Sequence, residues 1–159
     1  MSVAPLVAVV SIGSAVLACG GPAQPSAREA AVGIDSLNAR IVRAYRSHDP
    51  LAYATLYTDT AVFEWPAFNT VRGPSALAAM ARENWTSLHD MDLRLTVSSR
   101  RVASDHATEF GAFEQSWRDS SRGVRRTEYG RYAAFLLRQQ DGSWRMDRFF
   151  GFEDSTRPR

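Results

Sequence analysis

The apolar residues of this chain change their period once, and that change restricts the fold more than any motif does. Ile34, Leu37, Ile41, Val42 and Tyr45 recur at the spacing of one helix face. From Met91 the period becomes two: Met91, Leu93, Leu95 and Val97 alternate with Asp92, Arg94, Thr96 and Ser98, as in a half-buried strand. Helical spacing comes first and strand spacing follows, and that order is informative. It predicts an α+β domain in which a strongly curved, mostly antiparallel sheet packs against three N-terminal helices.

Local signals divide the chain further. A helix starts at Ala27 and ends in Ser47-His48-Asp49-Pro50, where Asp49 caps a second, short helix and Pro50 occupies its first position. Ala61–Trp65 reads as a strand ended by Pro66. Gly73-Pro74 opens a third helix, about Ser75 to Leu88. Strands are expected over 91–98, 107–118, 125–138 and 144–152, with Asp141-Gly142 as a hairpin turn before the last. The domain is expected to span residues 30–153, with residues 154–159 as a frayed tail.

The N-terminus has a different character. No charged side chain precedes Arg28, and Leu6–Ala18 is an apolar run shorter than the roughly 20 residues that span a bilayer. It fits the hydrophobic core of a secretory signal. Val16-Leu17-Ala18-Cys19-Gly20 resembles the lipobox of bacterial lipoproteins. The resemblance implies that residues 1–18 are a signal peptide and that Cys19 carries the lipid. Residues 19–29, rich in Gly and Pro, then form a tether. Gly20 after the cysteine implies an outer-membrane anchor with the domain facing the periplasm. The alternative is an ordinary cleaved signal and a soluble secreted or periplasmic protein.

Composition removes several chemistries. All 19 basic residues are arginine, which excludes lysine Schiff bases and a P-loop lysine. The single cysteine makes neither an internal disulfide nor a Cys-rich zinc site. The net charge of +2 is spread along the chain, so no nucleic-acid partner is expected. The densest basic stretch, Arg118, Arg122, Arg125 and Arg126, reads as a solvated hairpin tip. His48, His89 and His106 match no metal-ligand spacing, and no metal or other cofactor is expected.

Several segments together resemble the nuclear transport factor 2-like superfamily, in its SnoaL-like branch. They are His48-Asp49-Pro50-Leu51 with Leu56-Tyr57-Thr58-Asp59-Thr60-Ala61-Val62, Arg72-Gly73-Pro74-Ser75-Ala76-Leu77, Gly130-Arg131-Tyr132, and Asp141-Gly142-Ser143-Trp144. The resemblance implies a cone-shaped sheet closed by helices, with a pocket in its wide end. Relatives range from ketosteroid isomerase and cyclases to pure binding modules, so the fold leaves the function open. The isomerase uses an Asp base with a Tyr and a protonated Asp as oxyanion donors. Their matching positions here are Trp65, a site near Ile41, and Arg131–Ala133, and none supplies the required group.

Strand parity nominates pocket residues. Ala107, Glu109, Gly111, Phe113, Gln115 and Trp117 share a face, as do Glu128, Gly130, Tyr132, Ala134 and Leu136. On the last strand Trp144, Met146, Arg148, Phe150 and Phe152 do so, which makes Arg148 the basic intruder. Tyr57, Phe63, Trp65, Trp85, Trp117, Tyr132 and Arg148 are the candidate ligand-binding residues; Glu109, Glu128 and Tyr132 are the candidate acid–base residues. A buried Arg facing Glu either forms a closed ion pair or anchors a carboxylate ligand. The expectation is a lipid-anchored domain that binds a small apolar or carboxylate ligand. An acid–base enzyme of the cyclase, dehydratase or isomerase kind and a homodimeric assembly module are the alternatives.

Overall fold

A computed structural model of the chain describes residues 26–66, 69–120 and 123–158. The signal-peptide, Cys19 and most of the tether expectations lie outside the described residues. Helix α1 (Ala27–Arg46) opens on a capping box, with the Ser26 hydroxyl accepting from the Glu29 amide and Glu29 accepting from the Ser26 amide. Its stripe Ile34, Leu37, Ile41 and Tyr45 is buried. Asp49 caps α2 (Pro50–Ala54), as read from the sequence, through a 2.8 Å bond from the Ala52 amide. Helix α3 (Gly73–Trp85) follows two short pieces of strand.

Six strands form one curved, open sheet in the order β2-β1-β6-β5-β4-β3. They are β1 (Tyr57–Glu64), β2 (Val71–Arg72), β3 (Leu88–Val102), β4 (His106–Asp119), β5 (Val124–Arg138) and β6 (Trp144–Pro158). All neighbours are antiparallel except β1 and β6, which run parallel. The α+β class, the three leading helices and the long antiparallel run agree with the sequence reading.

Boundaries differ at four elements, and β3, expected over 91–98, runs on to Val102 and so takes in Arg100. Strand β1 begins at Tyr57 because the Leu56 carbonyl accepts from the Met146 amide and the Thr58 hydroxyl donates to Asp147, tying this segment to β6. Helix α3 stops at Trp85, which frees Leu88 to pair with Asp119 across β3 and β4. The tail expected to fray is strand: β6 continues to Pro158 because β5 extends far enough to pair with it, Arg126 opposite Pro158.

The more consequential difference lies in two of the sheet's register shifts, each a β-bulge. An extra residue in one strand reverses which side chains face inward beyond it. In β3, Val97 opposes Gly111 but Ser99 opposes Phe110, so the inward set shifts from odd to even and Arg100 turns in. In β6, Met146 opposes Leu136 but Arg148 opposes Phe135, so Phe149 turns in and Arg148 turns out. The outer face of the sheet therefore carries Phe110, Phe135, Leu137 and Phe152, all substantially exposed.

Candidate functional site

The concave face of the sheet and the three helices enclose a cavity of about 340 Å³, at the small end of ligand pockets. Close backbone approach makes room for large rings on its walls. At Gly151 an added Cβ would lie 2.1 Å from the Trp65 ring, and at Gly111 it would lie 2.6 Å from Tyr132. Trp65, Phe63 and Tyr132 each lie nearly parallel to Phe149, at centroid distances of 6.3, 5.3 and 5.9 Å. On the helical side Tyr45 and Tyr53 both meet Trp85 edge-on at 5.4 Å. Such ring geometries add to burial alone.

Of the sequence candidates, Tyr57, Phe63, Trp65, Trp85, Trp117, Tyr132 and Glu128 all line this cavity. Arg148 does not. The bulge before it sends its side chain outward, and its Nε lies 3.3 Å from Asp147. The basic anchor expected for a carboxylate ligand is thus absent from the wall.

Glu109 sits behind the wall, 1% exposed. Its Oε1 accepts from Asn38 Nδ2 at 2.8 Å and from the Tyr132 hydroxyl at 2.7 Å. Its Oε2 accepts from Arg100 Nε at 2.7 Å, and Arg100 Nη2 lies 2.6 Å from the same oxygen. Arg100 also reaches Asp35 at 2.7 Å and the Ala31 carbonyl. Burial alone would lower the Arg100 pKa, but the bonds to Asp35 and Glu109 more than reverse this. Burial and the bond to Glu109 both push the Tyr132 hydroxyl far above its ordinary value, so its proton stays committed to Glu109. The closed ion pair foreseen from the sequence exists, but its arginine is Arg100 and not Arg148. Charge-assisted bonds of this kind fix orientation, here by tying α1 to β3, β4 and β5.

Glu128 is the opposite case. It is 6% exposed and lines the cavity. Oε2 accepts from Gln115 at 3.0 Å, whereas Oε1 is buried with no hydrogen-bond partner among the described residues. Burial raises its pKa, the Gln115 bond partly offsets this, and the charge of Glu153 adds to the rise. A buried acceptor without a donor is costly in a folded protein and calls for an explanation. The Tyr53 and Tyr57 hydroxyls are 2.6 Å apart, and burial pushes Tyr53 up to about 12 and Tyr57 well above its ordinary value.

Tyr45, Asn38, Phe149 and Arg100 were missed from the sequence as site residues. Tyr45 and Asn38 lie on α1, where the helical stripe marks core without separating core from pocket wall. Phe149 and Arg100 follow bulges that no turn residue announces. His106 meets Asp105 at 2.8 Å, but both are exposed and stand apart from the cavity.

Helices closing a bent, open sheet over an aromatic cavity define the nuclear transport factor 2-like class of α+β proteins. The chain belongs within it to the SnoaL-like domain family, whose model matches residues 26–149. No curated protein matches the chain. Among solved structures, a protein of unknown function from Mycobacterium tuberculosis is 24% identical at a TM-score of 0.70, covering 79% of this chain and 76% of that one. The hexachlorocyclohexane dehydrochlorinase LinA-type3 from Novosphingobium barchaimii is 16% identical at 0.70, covering 82% and 90%. A ketosteroid isomerase-like protein from Erwinia carotovora atroseptica is 21% identical at 0.67, covering 78% and 95%. At such identities these likenesses establish the fold.

Proposed function

We propose that this domain binds a small, largely apolar ligand in the aromatic cavity, and that a lipid on Cys19 holds it at the membrane facing the periplasm. One observation carries the binding reading: the cavity is walled largely by aromatic and aliphatic side chains, and one buried acceptor, Glu128 Oε1, lacks a donor among the described residues. A ligand that supplies a donor there satisfies that oxygen while its rings replace water against Trp65, Trp85 and Phe113. The anchoring reading rests on Val16–Gly20 and the charge-free stretch Gly20–Ser26 that follows it. Among the described residues no helix is long and apolar enough to cross a membrane. Mass spectrometry of natively purified protein tests the anchor: an unmodified chain that retains residues 1–18 would overturn it.

The binding test is a titration with 2-naphthol, followed by the fluorescence of the cavity tryptophans. For a ligand of this size a Kd of about 0.1–1 mM is expected. Leu95→Trp, which fills the cavity, should abolish binding with the far-UV spectrum unchanged. Non-saturable binding, or equal binding by the filled variant, would refute the proposal.

A second reading, acid–base catalysis, draws on the same carboxyl. Glu128 is desolvated, has a raised pKa and faces the cavity, as a general base or acid does. Glu109 suits that role less, since Arg100, Asn38 and Tyr132 occupy its oxygens. A hexachlorocyclohexane dehydrochlorinase and a ketosteroid isomerase-like protein share this fold, which is compatible with that reading. For the assembly reading, Phe110, Phe135 and Phe152 on the outer sheet face support a homodimer formed through that face.

A further inference from the structure

We infer that the ligand of this cavity is a hydrophobic amine, bound as its ammonium by Glu128 and the surrounding aromatic faces. The inference rests on the ligand-binding reading above and specifies the chemical class.

The argument is one of charge and geometry. Among the described residues the cavity wall contains two carboxylates, Glu128 and Glu153, and no arginine or histidine, in a chain without lysine. Glu128 is more than nine-tenths buried, and its Oε1 has no donor among the described residues. Arg126, two residues along β5, is not part of the wall; its Nε is also buried without a partner, and among the described residues no ion pair joins it to Glu128. Among the described residues, the other polar groups beside this carboxyl are Gln115 on β4, Glu153 on β6 and the Tyr45 hydroxyl of α1. None of them is cationic. Burial of a carboxylate normally demands a counter-charge, and Glu109 obtains one from Arg100. Glu128, in the same sheet, does not.

An ammonium supplies what is missing. It donates to Oε1 in a charge-assisted bond, and the ring faces around it attract a desolvated cation. Glu153 stands exposed at the mouth, where its charge favours cation entry and opposes anions. A neutral hydroxyl meets the donor requirement but leaves the buried charge uncompensated. A carboxylate ligand would place a like charge beside Glu128. The outward turn of Arg148 removes the one residue that would have favoured it.

Three isosteric probes separate the cases: 2-naphthylmethylamine, 2-naphthylmethanol and 2-naphthoate, titrated at pH 7 against the wild-type protein and Glu128→Gln. The amine should bind at least tenfold more tightly than the alcohol, and the naphthoate should not bind. In Glu128→Gln the amine should lose that advantage while the alcohol keeps its affinity, which also shows that the variant is folded. Equal or tighter binding of the alcohol by the wild type overturns the inference and leaves the binding reading intact. Undiminished amine binding by Glu128→Gln overturns it as well. Failure of all three probes to bind overturns both.

Discussion

Removing the Arg100 guanidinium should be among the most damaging single changes that this domain can suffer. In Arg100→Met the Glu109 carboxylate, 1% exposed, keeps Asn38 and Tyr132 as donors but loses the one cation that pairs with it among the described residues. Breaking a buried pair by deleting one partner costs about 3–5 kcal/mol, because the remaining charge is uncompensated. The other partner, Asp35, has a side chain 67% exposed, and an exposed ion pair is worth about 0–1 kcal/mol. The loss therefore belongs to Glu109. For a domain of this size it corresponds to a fall of about 10–15 °C in the thermal midpoint. Urea unfolding by far-UV circular dichroism reads it directly, with Asp35→Asn as the control at 1 kcal/mol or less. Arg100→Met/Glu109→Gln should recover at least half of the loss, since the stranded charge is gone while an acceptor oxygen remains. The reasoning is wrong if Arg100→Met stays within 1 kcal/mol of wild type, or if the double variant is no more stable than the single one.

Three further outcomes are expected. Because burial raises the Glu128 pKa above its ordinary value of 4.5, the folded state holds that proton more tightly than the unfolded chain. The stability this confers is complete below the unfolded value and disappears as pH rises through the folded one; Glu128→Gln should therefore be about 1 kcal/mol more stable than wild type at pH 7, and urea melts at pH 4 and pH 7 measure the difference. Gly151→Ala places a Cβ 2.1 Å from the Trp65 ring, so it should cost about 1–3 kcal/mol, shift the tryptophan emission and weaken 2-naphthol binding; unchanged emission would show that Trp65 does not rest on that strand. If two copies pair through the outer sheet face, light scattering should detect a dimer that Phe135→Asp dissolves, and a wild-type protein that stays monomeric at high concentration disposes of that interface.

Much of the site was legible residue by residue. Parity along β4 and β5 put Glu109, Phe113, Glu128 and Tyr132 on the concave face, because both strands pair without interruption from His106 to Asp119. The same rule failed on β3 and β6, where a single extra residue reversed it. Arg148 was read inward and Arg100 was not singled out at all, and one extra residue in each strand accounts for where the two side chains point. Bulges carry no obligatory residue: Ser98 and Asp147 are unremarkable in the sequence. An uninterrupted alternation is therefore reliable only as far as the next bulge.

The period change, the capping box at Ser26, the Asp49-Pro50 start and the Asp141-Gly142 turn are local facts. Each depends on neighbours within a few residues, so the sequence by itself determined the helices, most strands and the α+β class. Which carboxylate is neutralised is a different kind of fact. Glu109 and Glu128 are both inward glutamates on adjacent strands, indistinguishable by pattern or composition. Only the tertiary structure brings Arg100 to one and leaves the other facing an aromatic cavity with an unanswered oxygen. Long-range register and bulge position, not local propensity, set those distances. In a low-dielectric interior a few ångströms decide whether a carboxylate is a structural tie or a binding group.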